Sequence, residues 1–127
     1  MTSSHQVELG CQAADVRAAR TWARDCLQST PGVGPDLLDD AQLVVSELVT
    51  NAVQAGCGTL TVEVRRESDG VRIAVTDDAR GAPTMGSSAT NVPHGRGLLI
   101  VATIARSWGV EHRPNGKQVW ALLPIAA

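Results

Sequence analysis

A length of 127 residues with 43% hydrophobic content suits one compact domain with a single core, and a formal charge of −2 at a pI near 5.8 excludes a basic nucleic-acid footprint. Only Lys117 among the eleven basic residues is a lysine. No apolar run approaches the roughly 20 residues that span a bilayer, and Met1 to Gly10 lacks the parts of a signal peptide, so a cytoplasmic protein without membrane or nucleic-acid partners is expected. The cysteines Cys11, Cys26 and Cys57 are odd in number and widely spaced, which predicts free thiols in a reducing compartment. His5, His94 and His112 are scattered and offer no metal site.

In chain order, a weak strand signal covers Gln6 to Gly10. Ala13 to Gln28 reads as a helix of good helix formers, closed by the breakers Ser29 to Pro35. A second helix starts at Pro35, a favoured first-turn residue, with Asp36, Asp39 and Asp40 near the positive end of the dipole, and Gly56 closes it. Within it Leu37, Ala41, Val44, Leu48, Ala52 and Ala55 recur at steps of three and four and form one apolar stripe.

Period-two alternation then predicts two strands, one carrying Leu60, Val62 and Val64 and the other Val71, Ile73 and Val75, joined through Ser68-Asp69-Gly70. Ala79 to His94 lacks apolar periodicity and is rich in Gly, Ser, Pro, Thr and Asn; a loop of this length in a small domain is commonly a lid or binding loop. Leu98 to Ala105 is apolar almost all round, as a buried helix is. Trp108 to His112 and Gln118 to Leu123 form a last hairpin around Arg113-Pro114-Asn115-Gly116. Strands arriving in hairpins predict an α+β two-layer sandwich, a mostly antiparallel sheet covered on one face by helices, in a single domain over residues 1–127.

Three groups could do chemistry. Glu47 and Asn51 are four positions apart on the second helix, so they share a flank at the edge of the apolar stripe. An amide oxygen there suits Mg²⁺, and a carboxylate one turn away could take a proton, although such pairs taken alone usually solvate a helix flank. Asp77 stands where a strand empties into a turn, placed to accept a hydrogen bond from an exocyclic amine. Gly95-Arg96-Gly97-Leu98 opens the buried helix, and free N–H groups at a helix start with close glycine backbone can bind phosphate. No GxxxxGK[ST] occurs, so a P-loop is excluded.

Taken in order, these groups resemble a known family. Glu47-Leu48-Val49-Thr50-Asn51-Ala52 is similar to the N box of the histidine-kinase-like (GHKL, Bergerat-fold) ATPases, Asp77 to Gly81 to their D-x-G-x-G box, and Gly95 to Leu98 to their G-x-G-L box. Trp108-Gly109-Val110 and Gly116 to Trp120 resemble the closing hairpin of the anti-sigma-factor branch, and the likeness runs from about Asp36 to Leu123. The resemblance implies ATP and Mg²⁺ as ligands, with a lid over about 79–96. It makes Asn51 the Mg²⁺ ligand, Glu47 the general base and Asp77 the partner of the adenine amino group. Gly81 would let the backbone approach the base, and Gly95, Arg96, Gly97 and Leu98 would meet the phosphates. Ala79 departs from the first glycine of the second box, and Gln118 stands where relatives carry a threonine near the adenine.

By the same resemblance the chain would be an ATP-dependent serine/threonine kinase of an anti-anti-sigma (STAS-like) partner, an anti-sigma factor sequestering a sigma factor, and a homodimer. The alternative is a nucleotide-dependent binding switch with little phosphoryl transfer. The chain is expected to be nearly all ATPase domain, without the phospho-acceptor helix of a full sensor kinase.

Overall fold

The computed structural model describes residues 3–79 and 92–125, with the side chains of Ser3 and residues 92–97 outside that description. Eight elements follow one another: β1 (Ser3–Leu9), α1 (Ala13–Gln28), α2 (Pro35–Gln54), β2 (Leu60–Glu67), β3 (Gly70–Asp77), α3 (Val92–Ile104), β4 (Ser107–Arg113) and β5 (Gly116–Pro124). The strands form one antiparallel sheet in the order β1-β2-β3-β5-β4. This is the α+β sandwich expected from the hairpin pattern.

α1 begins where the Asp15 carboxylate accepts the Gln12 N–H at 2.8 Å, one of the donors that a helix start leaves unpaired. α2 starts on Pro35, whose missing N–H costs nothing there, and ends as Gly56 enters the left-handed region at φ +81, which glycine adopts without strain. Its buried face is wider than the predicted stripe. Val45 and Val49 join Ala41, Val44, Leu48 and Ala52 in the core because α1 packs along one side of α2 while the sheet takes the other; Ala55, expected in the stripe, is exposed.

Parity decides what the sheet presents to the helices. Leu60, Val62 and Val64 of β2, Val71, Ile73 and Val75 of β3, and Val119, Ala121 and Leu123 of β5 are all buried and share the helix-facing side. The opposite side is mixed, with Ala74, Trp120 and Leu122 set among polar residues. There Glu63, Arg65 and Arg72 form ion pairs at 3.2–3.5 Å, and the Arg72 guanidinium lies 5.5 Å from the Trp120 ring centroid. Trp120 in turn covers Gly109, where an added Cβ would come within 2.9 Å of the indole nitrogen. No helix among the described residues is long and apolar enough to cross a membrane.

Two expectations change. β1 is a full seven-residue edge strand, and its Leu9↔Leu60 register brings Cys11 and Cys57, just beyond those residues, to the same corner of the sheet. The two are disulfide-bonded with Cα atoms 5.9 Å apart, leaving Cys26 as the free cysteine, so the expectation of three free thiols is corrected. Also, α3 starts at Val92, six residues before the predicted Leu98. Pro93 is tolerated in a first turn, and burial of Leu98 and Val101 outweighs the poor helix propensity of Gly95 and Gly97.

The disulfide is directly checkable. The unreduced, denatured protein is expected to take up one alkylating label, at Cys26, and three after reduction, as read by intact mass. Because the bond closes a loop of 46 residues, reduction is expected to lower the unfolding free energy by about 4 kcal/mol on the chain-entropy estimate. In the native protein Cys26 should label slowly, since burial, and then the neighbouring Asp25 charge, push its thiol pKa up.

Candidate functional site

α2 carries the first two candidate residues. Asn51 is 7% exposed, whereas Glu47, one turn earlier, is half-buried. Glu47 lines a cavity of about 350 Å³ together with Arg20, Asp39, Gln42, Leu43 and Ser46, along the flank where α1 meets α2. Neither Asn51 nor Asp77 lines that cavity. Within it, Ser46 Oγ is buried without a hydrogen-bond partner among the described residues.

Asp77 closes β3 at the end of the sheet toward which α2 descends. A short connector leads from the last turn of α2 to Leu60, which lies directly across from Asp77, and Asp77 in turn lies directly across from Lys117 of β5. Being in phase with Val71, Ile73 and Val75, Asp77 projects onto the helix-facing side, and Lys117 does so in phase with Val119, Ala121 and Leu123. Their charged ends meet. Lys117 Nζ lies 2.9 Å from Asp77 Oδ2 and 3.2 Å from Oδ1, with both side chains 1% exposed. The Ala79 N–H also donates to Oδ1, at 2.8 Å. Gly116 presses against this corner with φ +150, and a Cβ there would run into the Asp77 carbonyl.

The next residue faces outward. Asp78 is exposed, and its carboxylate accepts the Gly58 N–H at 2.7 Å and the Thr59 N–H at 3.3 Å. These backbone bonds, Gly58 foremost, hold its carboxyl below the usual carboxylate range. They also tie the connector after α2 to the end of β3.

Lys117 is the residue that the sequence reading missed. The resemblance sets its neighbour Gln118 near the adenine, but the structure puts Gln118 on the opposite, helix-free side, where its amide donates to Thr76 Oγ1 at 2.9 Å and accepts from Arg72 at 3.3 Å. Gln118 therefore lies on the other side of the sheet from Asp77. Gly81 and the lid residues 80–91 lie outside the described residues. Gly95, Arg96, Gly97 and Leu98 lie inside α3, within its first two turns, rather than ahead of it; α3 packs on α2, and the Leu98 side chain is fully buried in the core.

The donor chemistry of this end of the molecule fits a magnesium nucleotide. Asn51 offers a hard amide oxygen, of the kind that supplements phosphate and water around Mg²⁺. Asp77 retains acceptor capacity: of about four lone-pair positions on a carboxylate, the described partners take three.

Residues 11–123 match the family model described as a histidine kinase-like ATPase domain. No curated protein matches the chain. Among solved structures it is similar to the histidine kinase domain of the Erythrobacter litoralis EL346 blue-light activated histidine kinase. The TM-score is 0.55 and the sequence identity 20%, over 88% of this chain and 60% of that one. At that identity the likeness is one of fold, and this chain spans less than two thirds of that domain. With the family model covering nearly the whole sequence and the fold in agreement, the chain belongs to the histidine kinase-like ATPase domain family and is an ATP-binding domain of that kind.

Proposed function

We propose that the chain is a Mg-ATP-dependent serine/threonine protein kinase, acting on an anti-anti-sigma, STAS-like partner and pairing with a second copy of itself while it sequesters a sigma factor. What supports the nucleotide part is the family match, together with two polar residues that are almost fully buried, Asn51 near the end of α2 and Asp77 at the end of β3. Asp77 keeps one acceptor position beyond its bonds to Lys117 and the Ala79 N–H, which a donor on a ligand would take. In this reading Asn51 holds Mg²⁺ and Asp77 accepts from the adenine amine. Gly81 and Gly95, the latter in the first turn of α3, would meet the ligand through their backbone, with Arg96 at the phosphates. Bound Mg²⁺ would neutralise charge on the transferring phosphoryl group.

Support for transfer, as distinct from binding alone, comes from Glu47. Its carboxylate is half-buried beside an open cavity, so a partner's hydroxyl could reach it and give up a proton there. The protein partners follow from the resemblance of the closing hairpin to the anti-sigma-factor branch.

The nucleotide part is tested by calorimetric titration. The wild type is expected to bind ATP with Mg²⁺ present and more weakly with the metal chelated. Asn51→Ala is expected to lose roughly ten-fold or more of the Mg²⁺-dependent affinity, the size of one lost charge-assisted contact. Equal affinity with and without metal, in both proteins, would remove the ligand role of Asn51.

A further inference from the structure

We propose that the Cys11–Cys57 disulfide is a reversible redox latch: its reduction by a dithiol frees the corner where β1 and α1 meet the α2–β2 connector, and thereby weakens nucleotide binding. The latch stands on the fold itself, and only its effect on the ligand rests on the nucleotide reading.

Four elements meet at this bond. Cys11 sits at the joint between the end of β1 and the start of α1, and Cys57 sits in the connector from α2 to β2. Apart from the sulfur link, the connector is lightly held. On one side the Cys57 N–H donates to the Ala52 carbonyl at 3.4 Å, a long bond at a helix end. On the other, Gly58 and Thr59 donate to the carboxylate of Asp78, which is exposed, so water competes for these bonds. β1 is an edge strand paired with β2 alone, with Val7 and Leu9 packed on the core.

Two observations mark the bond as one that opens. Cys11 has φ +63, in the left-handed region that a residue with a Cβ seldom adopts, and it is the one non-glycine among the described residues to do so. Cutting the bond lets this joint relax. Cys57 is half-buried between the exposed Gly56 and Gly58, whereas Cys11 is buried, so an attacking thiolate reaches the bond from the Cys57 side. One thiolate of the dithiol attacks Cys57 Sγ; the bond between the two protein sulfurs breaks, and Cys11 leaves as a thiolate and takes up a proton. The second thiolate of the dithiol then closes its own disulfide and expels Cys57 as a thiolate, which is protonated in turn. Two electrons and two protons pass from the dithiol to the protein.

The corner borders both residues assigned to the nucleotide. The Asn51 carbonyl accepts the Ala55 N–H at 3.0 Å in the last turn of α2, and Asp78 directly follows Asp77. Release of the connector therefore acts on the backbone that carries both, and a site that has to be ordered again on binding holds its ligand more weakly.

The test compares oxidised wild type, reduced wild type and Cys11→Ser/Cys57→Ser by hydrogen exchange, read by mass spectrometry. On reduction the backbone around Cys11 and from Cys57 to Thr59 is expected to exchange about ten-fold faster or more, at times when β3 and β5 stay protected. The double variant should show the reduced pattern without reductant, and Cys26→Ser should respond as wild type does. Titration should give roughly 5- to 100-fold weaker Mg-ATP binding to the reduced form, the usual size of coupling between two sites. By linkage, saturating Mg-ATP should raise the ratio of oxidised to reduced protein in a thiol buffer by the same factor. Unchanged exchange at the corner on reduction overturns the latch, and so does loss of protection throughout β3 and β5, which makes the bond a general staple. A corner that opens while both forms bind ATP equally overturns its control of the nucleotide. ATP binding to neither form removes the nucleotide reading, and the exchange result then decides the latch alone.

Discussion

Asp77→Ala is expected to lower the unfolding free energy by about 3–5 kcal/mol, the usual cost of leaving one member of a buried ion pair alone. The reason lies in Lys117, whose ammonium is 1% exposed and has no other anion among the described residues. For a domain of this size the loss corresponds to a fall in Tm of roughly 10–20 °C. Asp77→Asn should cost less, because an amide oxygen can still accept from Lys117 or from the Ala79 N–H. Pairing Asp77→Ala with Lys117→Met should recover much of the loss, since the double variant leaves no uncompensated charge. Denaturant unfolding of wild type, Asp77→Ala, Lys117→Met and the double variant forms a double-mutant cycle. If Asp77→Ala stayed within about 1 kcal/mol of wild type, the pair would not be the buried contact described here.

The same substitutions separate stability from recognition. Asp77→Asn keeps the fold but sets an NH₂ or a carbonyl oxygen where the carboxylate stood. A protein that remains folded while losing ATP affinity places Asp77 in the binding surface, beyond its part in the core.

Most of the architecture was legible because strong local signals agreed with the packing. The breakers from Ser29 to Pro35 separate α1 from α2, Gly56 ends α2, and Ser68-Asp69-Gly70 turns β2 into β3, each near the predicted place. What was not legible depended on neighbours distant in sequence. The bond between Cys11 and Cys57 becomes possible only through the Leu9↔Leu60 register, and β1, an edge strand with only Val7 and Leu9 packed against the core, carries too little pattern to announce that register. The early start of α3 was hidden by Gly95 and Gly97, whose low helix propensity is overridden by burial of the residues that follow.

Lys117 is a different case, for a signal existed. The last strand was expected to start at Gln118, yet it starts at Gly116, which brings Lys117 into phase with Val119, Ala121 and Leu123. A lysine in phase with three buried aliphatic residues requires an anion. Asp77, in phase with Val71, Ile73 and Val75 on the strand predicted before the loop, is the acid that satisfies the same parity. Parity also would have moved Gln118 to the other side of the sheet. Glu47 and Asn51 fall one turn apart on α2, as their spacing requires, but Asn51 is buried and does not line the cavity beside Glu47.

Glu47→Ala is expected to abolish phosphoryl transfer to a partner protein, with a loss of about 10²- to 10⁴-fold in rate, while leaving Mg-ATP affinity close to wild type. Glu47 is half-buried on the α1–α2 flank and makes no ion pair among the described residues, so removing its carboxylate should cost little stability. Transfer is followed with radiolabelled ATP and a STAS-like partner, and binding by titration. Glu47→Gln separates charge from shape: an amide fills the same space but cannot accept the proton, so it should fail at transfer as alanine does. Were both variants to transfer at the wild-type rate, the base would have to be sought elsewhere. A wild type that binds Mg-ATP tightly yet labels no partner would instead make the domain a nucleotide-dependent switch, in which the ligand acts by favouring one conformation over another. The two functions thus diverge at one side chain. In both proposed readings Asn51 and Asp77 would hold the nucleotide, and only in the kinase reading would Glu47 act, when a bond is made to a partner's hydroxyl.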